Sequence, residues 1–231
     1  MMNLNQYEVL TFDCYGTLID WETGVIKALQ PILDAHQIQL NEDGILELFA
    51  RFESQLEGGE YRQYKNILQG VVQKFGEHFD FTPSSVELTA LADSVKHWLP
   101  FPDTVEALHI LKKRLKLAII SNVDDDLFAF TAKHLQVEFD SVITAEQVKS
   151  YKPSLQNFQV AIARLGIPSE KILHVAGSIY HDIVPAKALG LSTVWVNRRF
   201  GKEGLGATLA AVSNPDLEVP NLKTLAEMIQ L

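Results

Sequence analysis

The sequence predicts an α/β protein: a parallel sheet covered by helices on both faces, with an all-helical segment inserted after the first strand. From about residue 98 onward, short apolar runs alternate with amphipathic stretches, the pattern of a parallel sheet. Residues 21–97 instead show only helical periodicity. We therefore expect residues 1–20 and 98–231 to form the core, and residues 21–97 to form a four-helix insertion, called the helical block below.

The first strand is predicted close to the N-terminus. The residues from Tyr7 to Phe12 are mostly apolar or β-branched, and they lead directly to Asp13. Gly16 and Thr17 then predict a turn. An acid at this position either caps the turn or takes part in a reaction. The residues around it distinguish the structural role from the catalytic one.

Four helical stretches are predicted in the helical block. Val25 and Leu29 belong to the first, and Ile45 begins the apolar face of the second. Two further stretches cover about 61–78 and 84–97. No strand is predicted in this part of the chain.

The rest of the chain alternates between predicted helices and strands. Helices are expected near 103–114, 125–135, 155–165 and 182–189. Strands are expected at 117–120, 141–143, 172–176 and 192–196. Residues 200–220, rich in glycine, asparagine and proline, are predicted to be loop.

Small or polar residues follow three of the predicted strands: Asp13, Ser121-Asn122 and Gly177-Ser178. Ligands of open α/β sheets bind at the carboxyl ends of the strands, so these residues are expected to meet at one edge. The helical block leaves from the same edge, just after Asp20. It is therefore placed to act as a lid over this edge.

Composition excludes several classes of function. Lysine and arginine number 20 against 29 aspartates and glutamates, a net charge of −9, which argues against a nucleic-acid binder. The apolar runs are too short to span a membrane, and the first residues have no secretory pattern. The single cysteine, Cys14, excludes an internal disulfide. We therefore expect a cytoplasmic protein.

Four side chains are candidates for chemistry. Asp13 could attack an electrophilic carbon or phosphorus, with backbone amides of the turn holding an anionic oxygen. Lys152, fixed by the following Pro153, could keep that carboxylate ionised. Ser121 could bind an anionic group or simply cap a helix, and Asp182 could position water or favour a helix dipole. His174 and His181 are expected to be structural.

Taken together, these residues resemble the motifs of the haloacid dehalogenase superfamily. The four matching segments are Asp13-Cys14-Tyr15-Gly16-Thr17-Leu18, Ser121-Asn122, Lys152-Pro153 and Gly177-Ser178-Ile179-Tyr180-His181-Asp182. Their order and spacing match over essentially the whole chain. The resemblance implies a Rossmann-like three-layer core, a helical cap formed by the helical block, and Asp13 as nucleophile.

Two positions favour a dehalogenase over a phosphatase within this superfamily. Phosphatases carry a second Asp two residues after the nucleophile, where this chain has Tyr15, and an acid where it has Gly177. Their Mg²⁺ would be left with Asp13 and Asp182 alone, a poor set of ligands. The resemblance to L-2-haloacid dehalogenases implies a cofactor-independent hydrolase that displaces halide from the carbon beside a carboxylate. Mg²⁺ is expected only if the protein is a phosphatase.

The same resemblance assigns roles to individual residues. Asp13, Lys152 and Asp182 are the expected catalytic residues, and no residue is expected to bind metal. The expected substrate-binding residues are Tyr15, Thr17, Ser121, Asn122, Arg51 and Ser178. The expected substrate is a small 2-substituted carboxylic acid, and a homodimer is compatible with such a fold.

The cap departs from the dehalogenase pattern. An arginine that receives the halide normally precedes Gln-Leu-Glu-Tyr, but here Gln55-Leu56-Glu57 is followed by glycine. Arg51 is one place out of register, and Arg62 is a second candidate. Three functions therefore stay open: dehalogenation or related carbon–heteroatom hydrolysis, phosphate-ester hydrolysis with a weakened Mg²⁺ site, and non-catalytic binding on the same scaffold.

Overall fold

A computed structural model describes residues 2–201 and 204–230. Its six parallel strands lie in the order β3-β2-β1-β4-β5-β6. The strands are β1 (Val9–Phe12), β2 (Lys116–Ser121), β3 (Ser141–Thr144), β4 (Ile172–Ala176), β5 (Ser192–Val196) and β6 (Leu217–Val219). This sheet with its helices confirms the predicted α/β class.

Ten α-helices occur among the described residues. Those of the helical block are α1 (Trp21–Ala35), α2 (Glu42–Glu57), α3 (Tyr64–Phe79) and α4 (Ser85–Ser94). The others are α5 (Thr104–Lys112), α6 (Asp125–Leu135), α7 (Ala145–Val148), α8 (Leu155–Leu165), α9 (Val184–Ala188) and α10 (Leu222–Gln230). None of the described helices has the length and apolar character needed to cross a membrane.

Helices cover both faces of the sheet, and each face has its own apolar core. Successive strand residues point to opposite sides, so Ile119 and Ile120 enter different cores. Ile120 packs with Phe158 of α8, whereas Ile119 belongs to the core that includes Leu108 of α5. The result is a three-layer arrangement in which β1 lies in the middle, buried along its whole length.

Two features of the C-terminal part differ from expectation. The predicted loop at 200–220 contains β6, which pairs with β5; residues 202–203 of that loop lie outside the described residues. A three-residue edge strand is too short to show a period in sequence.

The helix predicted at 182–189 is a π-helical turn at Ile179–Ile183 followed by α9. Ser178 begins this turn by accepting a hydrogen bond from the backbone N–H of His181.

Strand pairing decides where the motifs meet. Phe12 at the end of β1 is in register with Ile119 of β2 and Val175 of β4. Asp13 therefore emerges between the ends of these two neighbouring strands. The loops after β1, β2 and β4 form one edge of the sheet, and α1 to α4 follow directly from it.

Candidate active site

A buried lysine joins two carboxylates at the carboxyl edge of the sheet. Lys152 Nζ lies 2.8 Å from Asp13 Oδ1 and 2.6 Å from Asp182 Oδ1. It also donates to the backbone carbonyl of Ile120 at 3.0 Å, which completes its three N–H bonds. All three charged side chains are buried, with Lys152 1% exposed. A buried pair of acids around one ammonium is a strongly polar centre within an apolar fold.

The turn after β1 holds the second oxygen of Asp13. Thr17 Oγ1 donates to Asp13 Oδ2 at 2.5 Å and accepts from the Gly177 N–H at 2.8 Å. Gly16 takes a positive φ of 88° in this turn, a conformation that glycine adopts without strain. Both carboxylate oxygens of Asp13 are thus fixed in direction, one by Lys152 and one by Thr17.

The pKa values of this centre follow from burial and from the shared lysine. Burial raises the pKa of Asp13, while Lys152 and Thr17 act to lower it. Burial also acts to raise the pKa of Asp182, but Lys152 and His174 overcome this and lower it. Burial alone would lower the pKa of Lys152, yet Asp13 and Asp182 raise it. The lysine is therefore a permanent cation at neutral pH.

A histidine on β4 contacts Asp182. His174 Nε2 lies 3.1 Å from Asp182 Oδ1, and His174 Nδ1 lies 3.0 Å from Thr11 Oγ1. The ring is fully buried and bridges Thr11 on the neighbouring strand β1 and Asp182. Asp182 Oδ2 is buried without a hydrogen-bond partner. One oxygen of Asp182 is thus occupied, and the other is available to a small polar molecule.

Ser121 and Asn122 follow β2 on the other side of Asp13. The Asn122 side chain accepts from the Lys152 N–H at 2.7 Å and donates to the Lys152 carbonyl at 3.0 Å, so it fixes the backbone that carries the lysine. Ser121 Oγ is buried without a hydrogen-bond partner. An unpaired buried hydroxyl costs free energy unless a ligand or water satisfies it. Ser121 is thus the residue of this pair that can contact a ligand.

These residues line a cavity of about 880 Å³ between the sheet edge and the helical block. Asp13, Ser121, Lys152 and Asp182 contribute its floor. The helical block contributes the opposite wall through α1, α2 and the start of α3: Trp21, Glu22, Thr23, Ile26, Glu42, Asp43, Leu46, Glu53, Glu57 and Tyr64. The cavity is large enough to enclose a small organic acid.

Three of the expected substrate-binding residues either bond other parts of the protein or lie away from the cavity. Tyr15 lines the cavity, but its hydroxyl bonds Thr131 Oγ1 at 2.8 Å. Ser178 lines it too, although its hydroxyl accepts from the His181 N–H at 3.0 Å. Arg51 is exposed on α2, its guanidinium 5.1 Å from the Phe52 ring, and it is not among the described lining residues. Its position one residue out of register turns it away from the cavity.

The residues present do not fit a magnesium ion. Both Asp13 Oδ1 and Asp182 Oδ1 are bonded by Lys152, whose charge opposes a divalent cation there. No group of three or more His, Cys, Asp or Glu residues that could hold a metal occurs in the described ranges. A Cβ at Gly177 would lie 2.4 Å from the Gly16 carbonyl oxygen, so an aspartate cannot be accommodated at this position without moving the backbone.

The close approach at Gly177 gives a first prediction. Gly177→Ala should lower the free energy of unfolding by about 1–3 kcal/mol, because the added methyl must push apart the two backbone segments that hold Thr17. Urea denaturation of both proteins measures the difference. Gly59→Ala is the control, since the nearest atom to its new methyl is 4.0 Å away. An unfolding free energy unchanged in both variants would show that the turn adapts.

Sequence reasoning missed several residues of the cavity. Glu53 and Glu57 on α2 are not among the expected site residues, although both line the cavity. Arg198 lines it as well and donates to the Thr17 carbonyl at 2.9 Å and to Asp103 at 2.7 Å. His174, expected to be structural, is not among the described lining residues but contacts the lining residue Asp182. The spacing of Glu53 and Glu57, one helical turn apart, was the available signal.

Comparison with known proteins identifies the class. The model of the haloacid dehalogenase-like hydrolase family matches residues 7–190, and the chain belongs to this family. It is 28% identical over 202 residues to a (S)-2-haloacid dehalogenase of Pseudomonas putida, covering 83% of this chain and 85% of that protein. It is 30% identical over 200 residues to a glyceraldehyde 3-phosphate phosphatase of Methanothermobacter thermautotrophicus, covering 80% and 84%.

A solved structure shows the same fold. The L-2-haloacid dehalogenase from Xanthobacter autotrophicus, with chloropropionic acid covalently bound, superposes with a TM-score of 0.78. The match covers 97% of this chain and 98% of that one at 20% identity. The chain is therefore a hydrolase of the haloacid dehalogenase-like family, with the fold found in L-2-haloacid dehalogenases.

Proposed function

We propose that this protein hydrolyses the carbon–halogen bond of a small 2-haloacid through a covalent ester on Asp13. The observation that carries the proposal is the bonding of Asp13: Lys152 and Thr17 fix its two oxygens at 2.8 and 2.5 Å at the floor of the cavity. A carboxylate that is oriented and charge-balanced in this way is suited to attack carbon. The named relatives that act on 2-haloacids support the same substrate class.

Ser121 is the residue proposed to hold the substrate carboxylate. Its hydroxyl is buried, lines the cavity and has no partner within the protein. A substrate carboxylate at this place would accept the hydrogen bond that Ser121 otherwise leaves unmade. With the carboxylate held there, the adjacent carbon lies over the floor that carries Asp13.

The proposed reaction has two steps. An Asp13 oxygen attacks the carbon beside the carboxylate, the carbon–halogen bond breaks, and halide leaves with the bonding electrons. Water next attacks the carbonyl carbon of the Asp13 ester, which releases a 2-hydroxy acid and one proton and restores the carboxylate. Asp182 Oδ2, unpartnered beside Lys152, is proposed to accept a hydrogen bond from this water. Lys152 keeps Asp13 ionised for the next turnover.

Phosphate-ester hydrolysis is the second candidate, because a phosphatase is among the relatives at 30% identity. The site argues against it on two counts. Tyr15 occupies the position of the acid that would protonate the leaving oxygen, and its hydroxyl bonds Thr131 instead. The carboxylates also fail to provide the magnesium ligands on which phosphoryl transfer depends.

Halide release tests the proposal. Incubation with L-2-chloropropionate in the presence of EDTA should release chloride and form lactate in equal amounts. A panel of phosphate esters with Mg²⁺ is the matched comparison and should release no phosphate above background. Phosphate release that needs Mg²⁺, with no chloride release, would contradict the proposal and establish the phosphatase.

A further inference from the structure

The wall of the cavity opposite Asp13 is acidic. None of the described residues that the helical block contributes to the cavity is a lysine or an arginine. In the dehalogenase pattern, an arginine from this side receives the halide, and here Arg51 lies outside the cavity. A halide that leaves with a full negative charge still needs a hydrogen-bond donor at the point where the charge develops.

Glu53 is a buried residue of this wall. It is on the inner face of α2 and only 4% exposed. Its Oε1 accepts a hydrogen bond from Tyr64 OH at 2.6 Å, so α3 fixes the orientation of the carboxyl group. The other oxygen has no such partner among the described hydrogen bonds, and the side chain lines the cavity together with Asp13.

Glu57 connects this wall to the floor. It lies one turn after Glu53 on α2, and Asn122 Nδ2 is 3.4 Å from its Oε1. Asn122 in turn bonds the backbone of Lys152, whose ammonium contacts Asp13. Both glutamates therefore line the same cavity as the nucleophile, and Glu57 lies close enough to Lys152 for the lysine's charge to affect its pKa. Ser121, with its unpaired buried hydroxyl on the floor, marks where the other end of a ligand is held.

The protonation state of the wall follows from its burial. Burial raises the pKa of Glu53 to about 8, although the hydrogen bond from Tyr64 acts to lower it. Burial also raises the pKa of Glu57, and the neighbouring Glu53 raises it further against the opposing effects of Lys152 and Asn122. At neutral pH Glu53 therefore carries a proton and can donate an O–H hydrogen bond, and burial favours the neutral form of Glu57 as well.

We propose that Glu53 is the group that receives the departing halide, by donating the hydrogen bond of its neutral carboxyl group to it. This inference rests on the proposed function. The proton stays on Glu53 throughout, because the halide departs as a free anion with the electrons of the carbon–halogen bond. Glu57 extends the same wall toward Asn122. An ionised Glu53 would repel the halide, so the displacement step needs this group protonated.

The consequence is a loss of activity at alkaline pH. The titratable groups that face Glu53 are Glu57 on its own helix, Tyr64 on α3 and Tyr151 on the core, with Lys152 beyond Glu57. The pKa values of both tyrosines are raised by burial, and that of Lys152 is raised by its carboxylates. With its pKa raised to about 8, Glu53 is the group whose deprotonation we expect to cause this loss.

Two variants and the parent protein test the inference through kcat for halide release between pH 6 and 10. The parent should lose activity above about pH 8. Glu53→Gln keeps an N–H donor that cannot ionise, so this alkaline loss should disappear. Glu53→Leu removes the donor and should lower kcat by about 100-fold at pH 7. Thermal melting of each variant establishes that it is folded.

Tyr64→Phe provides an independent readout. It removes the hydrogen bond that favours the ionised form of Glu53, so the alkaline loss should move to higher pH. Glu53→Leu should also lower kcat more for chloride substrates than for bromide substrates. Chloride is the poorer leaving group, so its departure depends more on a hydrogen-bond donor. If Glu53 has only a structural role, substituting it will change neither the pH profile of kcat nor the ratio of the kcat values for chloride and bromide substrates.

The outcomes separate the inference from the function beneath it. Halide release by the parent with an unchanged alkaline loss in Glu53→Gln overturns the inference alone. Full activity of Glu53→Leu at pH 7 does the same. A parent that releases no halide at any pH overturns both the proposed function and the assignment of Glu53.

Discussion

Asp13→Asn should abolish halide release, with a loss of about 10⁴-fold or more in kcat. The amide has the same shape as the carboxylate and can still accept from Thr17, but it is too weak a nucleophile to displace halide. Lys152 then keeps only Asp182 as an acidic partner. Chloride release from L-2-chloropropionate measures the effect, with mass spectrometry to establish that the asparagine has not deamidated.

The same chemical change elsewhere provides the control for Asp13→Asn. Asp34 lies on α1 outside the cavity, where it accepts a hydrogen bond from Gln30. Asp34→Asn should leave kcat within about twofold of the parent, because surface substitutions away from a site have small effects. Substantial chloride release by Asp13→Asn, at a rate similar to that of Asp34→Asn, would rule out Asp13 as the nucleophile.

Lys152→Met should damage both activity and stability. Without the ammonium, Asp13 and Asp182 face each other as buried acids with no cation between them. Their pKa values then rise, and the fraction of Asp13 that is ionised falls. We expect kcat to fall by about 100- to 1000-fold at pH 7. Activity measured against pH should recover in part toward alkaline pH, where the carboxylate forms again.

The stability loss in Lys152→Met has a definite pH dependence. Breaking a buried ion pair from one side costs about 3–5 kcal/mol. The two acids in the variant have folded pKa values above their unfolded ones, so the native state binds more protons than the unfolded state. Stability therefore falls as pH rises through this window. Urea unfolding at pH 5 and pH 8 should show the larger deficit at pH 8.

Lys112→Met is the matched control for Lys152→Met. Lys112 Nζ lies 2.6 Å from Asp140 Oδ2, as short a contact as that of Lys152 with Asp182, but both side chains are about a third exposed. Water screens the exposed pair, so its loss should cost less than about 1 kcal/mol at either pH. Equal losses of unfolding free energy in the two lysine variants would show that burial does not determine how much the Lys152 ion pairs contribute to stability.

The parts of the fold that could be predicted are those with a long or regular pattern. The predicted helix at 125–135 has the bounds of α6, and the strand at 172–176 those of β4. β6 was missed because three residues at a sheet edge carry no period. The π-helical turn at Ile179–Ile183 was missed because hydrogen bonds to Ser178, rather than an apolar pattern, define where it begins.

The convergence of Asp13, Lys152 and Asp182 was predictable from topology. Each follows a strand or a loop at the carboxyl edge, so residues 139 positions apart in sequence meet through one ion pair. Glu53 was not predictable in this way. On an isolated helix, a glutamate belongs to the solvated face, and only the packing of the helical block against the sheet edge buries it. Arg51 lies outside the cavity for the converse reason, since one residue of register rotates it outward.

The most direct test of the account is a single turnover in ¹⁸O-labelled water with enzyme in excess over L-2-chloropropionate. Water that attacks the ester carbonyl leaves its oxygen on Asp13, while the lactate takes an unlabelled oxygen from the enzyme. We predict that the peptide containing Asp13 gains ¹⁸O and that the first lactate formed does not. Label found only in the lactate would mean that water attacks the substrate directly, which would contradict a covalent role for Asp13.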